Sequence, residues 1–169
     1  MLNWLLLALL GAGLLGSVVW RFASDQKPGR EAMLYRNTGT WDSPTWSEIT
    51  CVKDVSLDAP DGEIAAPSRA SVFNLTLAGL TDATINLEVI HSPSDANFVA
   101  LRDAKTNRTA IEIAIMDGDI TTVGSHGLRA NFRVLNFTRN EPLEDELTYT
   151  VTLKPTPSSN NPTWYSITS

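Results

Sequence analysis

Polar and apolar residues alternate with a period of two in several stretches of the chain, the pattern of a strand with one face on a core. Leu147, Tyr149, Val151 and Leu153 fall on one side of such a stretch, with Thr148, Thr150 and Thr152 on the other. Residues 73–77 repeat the pattern with Phe73, Leu75 and Leu77 inward, as do residues 85–89 and 111–115. Leu128, Ala130, Phe132 and Val134 share a face opposite Arg129, Asn131 and Arg133, after which the apolar parity moves to Leu135 and Phe137. A bulge at that point, or burial on both faces beyond it, accounts for the switch. Further strands are expected over 46–55, followed by a long acidic loop, and over 34–36. One segment breaks the period: Ser94 as cap, Asp95 early, Lys105 late, and Phe98 and Leu101 three apart predict a short helix. Asp61-Gly62 and Asp117-Gly118 read as turns. The tail over 155–162 reads as irregular, with Trp164 and Tyr165 docking its end. The expected fold is mainly β, an antiparallel sandwich or barrel with one flanking α-helix.

A different pattern precedes this body. Residues 4–20 run from Trp4 to Trp20 without a charge and with one hydroxyl, Ser17. That length just suffices to cross a bilayer, and indoles at both ends suit its interfaces. Three readings stand: a hydrophobic transmembrane helix over residues 1–20, a cleaved signal peptide lacking the usual basic start, or a segment upstream of a natural start at Met33. The first makes the protein single-pass membrane-bound, with Arg21, Lys27 and Arg30 favouring a cytoplasmic body. Residues 21–32 form a polar linker broken by Pro28 and Gly29, and residues 33–169 form the β-domain.

Composition narrows the function. The 169 residues are 43% hydrophobic and 19% charged, enough for a packed core. The net charge is −6, and the body from 33 onward holds 10 Lys and Arg against 17 Asp and Glu, a net of −7. That excludes a general nucleic-acid-binding surface, which needs clustered cations. One cysteine, Cys51, excludes an internal disulfide; alternating with Ile49, it reads as a small buried residue. His91 and His126 each stand alone, His126 in a loop, and no nucleophile motif, phosphate loop or metal motif is present. Asp117-Gly-Asp119 has the carboxylates of a calcium loop but not its closing glutamate, so a hairpin turn is the better reading. No catalytic, cofactor or metal site is expected.

The spread of residues along the body resembles phage-type major tail proteins, the tail tube family. The resemblance is carried by residues 34–41 (LYRNTGTW), 46–55 (WSEITCVKDV), Asp95 to Leu101 in the helix position, 111–119 (IEIAIMDGD), 127–134 (GLRANFRV) and 140–144 (NEPLE). It covers nearly all of 33–169 and leaves residues 1–32 outside, since a tail tube subunit has no need of a membrane span. The resemblance implies a β-sandwich with a flanking helix, a virion structural protein whose copies form hexameric rings. The rings stack, with other tail proteins, into a tube that DNA passes through as cargo. It places the protein in a virion tail, or in host cytoplasm during assembly. An acidic bore would then repel phosphate. Glu141, Glu144, Asp145 and Glu146 are the densest candidates to face it, with Asp54, Asp58, Asp61 and Glu63 second. The alternative is a membrane-anchored β-sandwich, held through residues 4–20, that binds a protein or other ligand.

Overall fold

The computed structural model describes residues 27–66 and 76–168. The apolar run between Trp4 and Trp20, and Phe73 and Leu75, lie outside these residues. Among the described residues, no helix is long and apolar enough to cross a membrane.

Among the described residues, ten strands and one α-helix follow a short 3-10 turn. In chain order they are β1 Met33–Asn37, β2 Trp46–Glu48, β3 Val52–Asp58, β4 Asp61–Ala65, β5 Thr76–Thr81, β6 Thr84–Ile90, α1 Ala96–Asn107, β7 Ala110–Met116, β8 His126–Asn140, β9 Thr148–Pro155 and β10 Thr163–Ser166. The main sheet runs β2-β1-β7-β8-β9-β6-β3, with β10 added beside β8. Every pairing is antiparallel.

Two long segments turn this sheet into an enclosure. β8 pairs with β7 through its first half and with β9 through its second. The expected stretch 46–55 is likewise divided. β2 pairs with β1, β3 pairs with β6, and only Ile49, Thr50 and Cys51 separate them. That junction stays bonded to both ends of the sheet, Ile49 N donating to Leu34 O and Ile90 N to Cys51 O, each at 2.8 Å. The strands at the two ends of the path are therefore one bent segment, and the sheet curls until its halves face each other, an arrangement between sandwich and barrel.

One core fills the space. Ile85, Leu87 and Val89 of β6, Val151 and Leu153 of β9, and Ala130, Phe132 and Val134 of β8 are buried together with Leu34, Ile49 and Cys51. The alternation expected for β6 and β9 holds because each has one face on this core. β7 is buried on both faces, with Ile111 and Ile113 in the core and Ala114 and Met116 in a second cluster behind it. The parity switch in β8 is a bulge: register shifts between Val134 and Asn136, leaving Leu135 outside and turning Phe137 back toward the core.

α1 covers β8 and β7. Phe98 and Leu101 form its buried stripe, Phe98 meeting Phe137 and Tyr149 edge-on. The cap is Asp95 rather than Ser94; its carboxylate accepts from the amides of Asn97 at 2.7 Å and Phe98 at 3.0 Å. Two otherwise orphaned donors depend on that carboxylate. Asp95→Ala is expected to cost about 1 kcal/mol of stability, read as a lower urea midpoint with an unchanged slope; Asp95→Asn should recover most of it.

Other expectations are corrected. Asp61-Gly62 is not a turn but the start of β4; Ala59 and Pro60 make the connection. The long acidic loop after Val55 is the rest of β3 followed by a separate hairpin, β4–β5. Leu77 points out rather than inward, because that hairpin has no core beneath it. His126 opens β8 instead of lying in a loop. Tyr165 docks onto the second cluster, but Trp164 on the opposite face of β10 is exposed.

Candidate assembly surface

Among the described residues, exposed protrusions stand beside an open cleft of about 400 Å³ that Arg36, Asn37, Asp103 and Glu112 help to line. One is the β4–β5 arm. Every residue of β4 is exposed, and Ile64, Leu77 and Leu80 (the last 93% exposed) leave the arm with apolar side chains in water. A salt bridge of 2.6 Å between Lys154 on β9 and Asp82 ties its base to the body. Exposed apolar groups on a projecting element mark a contact surface.

The second protrusion is the β8–β9 connection. It carries Glu141, Glu144, Asp145 and Glu146, all exposed. Glu141 pairs with Arg139, and Asp145 accepts from the Glu146 amide. At the apex stands Leu143, 99% exposed. The other acidic group does not gather into one loop: Asp54 and Asp58 lie on β3, and Asp61 and Glu63 on the arm, where Thr81 donates to Asp61.

Behind the sheet lies a buried polar group that the alternation did not reveal. Arg129 is on the face opposite Leu128 and Ala130, as expected, yet it is enclosed. Its guanidinium meets Glu112 at 2.7 Å, with the two side chains 8% and 11% exposed. It donates to Trp41 O and lies 4.0 Å from the Trp41 ring, with Trp46 and Tyr165 around it. The second Glu112 oxygen accepts from Asn37, whose own carbonyl accepts from Gly39 N and Thr45 N. Each buried polar group is satisfied, so the cluster organises the 38–45 loop and β10. The surplus of tryptophan and tyrosine around residue 41 and near the C-terminus was the available signal.

The remaining candidates are occupied by their own neighbours. Burial alone would raise Asp117, but the His126 amide and the Lys27 ammonium hold it below the usual carboxylate range. Asp119 is held low by the Thr121 amide and hydroxyl. The two carboxylates thus serve the 117–125 loop. Burial, with the charge of Asp95, pushes the Cys51 thiol up. His91 stacks on Tyr149, and His126 is exposed 3.5 Å from Asp117. Among the described residues, no three metal-ligating side chains gather.

No protein-family model matches the chain, and no curated relative matches it in sequence. Solved structures do. A chain of the SPP1 tail tube superposes with a TM-score of 0.68 at 9% identity, covering 85% of this chain and 81% of that one. A chain from the virion of a native gene transfer agent particle gives 0.63 at 11% identity, covering 83% and 100%. A chain from the sheath–tube complex of an extracellular contractile injection system gives 0.60 at 12% identity, covering 86% and 95%. The curled antiparallel sheet with its flanking helix is therefore the fold of chains found in a phage tail tube, a gene transfer agent virion and an injection-system sheath–tube complex.

Proposed function

We propose that the chain is a non-enzymatic structural subunit of a phage-like tail tube, assembling with copies of itself into stacked rings that form a conduit for DNA. The observation that carries this is likeness along almost the whole body, spanning 81–100% of chains from three different tail or tube particles. The surface agrees. Its conspicuous features are apolar and acidic protrusions, which suit subunit contacts better than small-molecule binding. A conduit for DNA also needs a bore that does not hold phosphate. Two exposed acidic groups can serve it, Glu141, Glu144, Asp145 and Glu146 on the tip, and Asp54, Asp58, Asp61 and Glu63 on β3 and β4.

The test is negative-stain electron microscopy of the full chain, concentrated in a non-ionic detergent that accommodates residues 4–20. Rings or hollow tubes are expected. Isolated small particles up to millimolar concentration, with a sedimentation coefficient of a monomer, would overturn the reading.

A further inference from the structure

The end of α1 and the bulge in β8 build a second charged feature, opposite in sign to the tip. Lys105 in the last helical turn, Arg108 in the left-handed cap position (φ 54°) and Arg133 on β8 line an open groove of about 500 Å³ with Thr106, Val134 and Leu135. Among the described residues, none of these three cations has a carboxylate within salt-bridge distance. A helix C-terminus favours nearby cations and so accounts for Lys105 and Arg108. It does not account for Arg133, which comes from a strand, nor for Leu135. The bulge pushes Leu135 outward, 47% exposed, where Lys105 Nζ donates to its carbonyl. The groove is thus one leucine among three cations.

The tip is the counterpart, one leucine among four carboxylates. The two match in charge and in the placing of an apolar group. They cannot meet within one chain, because β8 runs away from the groove. The six residue steps from Leu135 to Glu141 span roughly 20 Å of extended strand. We infer that the 141–146 tip of one copy seats in the Lys105–Arg108–Arg133 groove of a second copy, carboxylates on the cations and Leu143 against Leu135. For its occupant, a second copy, the inference rests on the assembly reading. Tip and groove are different patches, so the contact is head-to-tail, the kind that closes into a ring or runs on as a helix. The tip is then assigned to the joint between subunits, and of the two acidic groups only the β3–β4 carboxylates are left for the bore.

Charge reversal tests this on the full chain. One variant carries Arg108→Glu and Arg133→Glu; the other carries Glu144→Lys and Asp145→Lys. All four side chains are exposed, and Lys105 is left alone because it holds the bulge carbonyl. Circular dichroism melts check that both variants fold. In sedimentation velocity, each variant alone should need roughly a hundredfold higher concentration to associate. An equimolar mixture should associate like the unaltered protein, because in an alternating ring every tip again meets a groove of opposite charge. Association of each variant at the unaltered concentration, or a mixture no better than its components, would overturn the contact. The tube reading fails separately. If the unaltered protein forms tubes and both variants still do, that reading stands and this contact falls. If neither the unaltered protein nor the mixture associates, both fall.

Discussion

Arg129→Ala lowers stability by about 3–5 kcal/mol, the expected cost of removing one partner from a buried ion pair. The size follows from what remains behind. Glu112 keeps the hydrogen bond from Asn37 but loses its counter-charge while it stays enclosed. Trp41 O loses its donor, and the Trp41 ring loses the guanidinium it lies against. Urea unfolding followed by tryptophan fluorescence measures the change directly, since Trp41 and Trp46 both face the cluster. A double variant, Arg129→Met with Glu112→Leu, should recover a large part of the loss, because an apolar pair of similar volume avoids the stranded charge. A loss below about 1 kcal/mol for Arg129→Ala would mean that water already reaches the pair.

The second large effect is expected at Gly127, near the start of β8. Here β7 and β8 approach so closely that a Cβ would overlap the Ile115 carbonyl oxygen, and would stand 2.6 Å from Ile115 C and 2.8 Å from Met116 Cα. All three atoms are backbone, so no rotamer change relieves the clash. Gly127 faces Met116 across the ladder, and Tyr165 of β10 lies on its other side. Gly127→Ala must therefore open the β7–β8 pairing or displace β10. A cost of about 3 kcal/mol or more is expected, the upper range for an overpacked site. Amide hydrogen exchange should localise it, with protection falling at residues 115–116 and 127–129 before the rest of β8. Unchanged exchange and an unchanged melting temperature would contradict the geometry.

These two positions also mark where reading the chain alone stopped. β6, β7 and β9 were legible because each lays at least one face on a core, and a period of two records exactly that asymmetry in side chains. Phe98 and Leu101 were legible for the same reason at helical spacing. The bulge at Val134–Asn136 showed as a change of parity. β4 was missed because both faces of the arm are wet, so Asp61, Gly62 and Glu63 carry no alternation and resemble a loop; the strand expected over 73–77 meets β5 at Thr76 and Leu77. Arg129 was placed on the right face of β8 but not recognised as enclosed. Its partners Glu112 and Trp41 lie 17 and 88 residues away, and no local pattern brings them together. The acidic tip was plain as a run of charge. Its counterpart was not, because Lys105, Arg108 and Arg133 become neighbours only when α1 docks on β8.

The enclosure of Arg129 also has a consequence for timing during synthesis. Glu112 and Trp41 are made well before Tyr165, which arrives on β10, the latest of the strands to leave the ribosome. Until β10 pairs with the first half of β8, the ion pair stays open on one side to water, and the cluster of Met116 and Tyr35 lacks the cover of Tyr165 and Ile167. Neither the ion pair nor the second cluster is therefore fully covered before β10 is free of the ribosome and paired with β8.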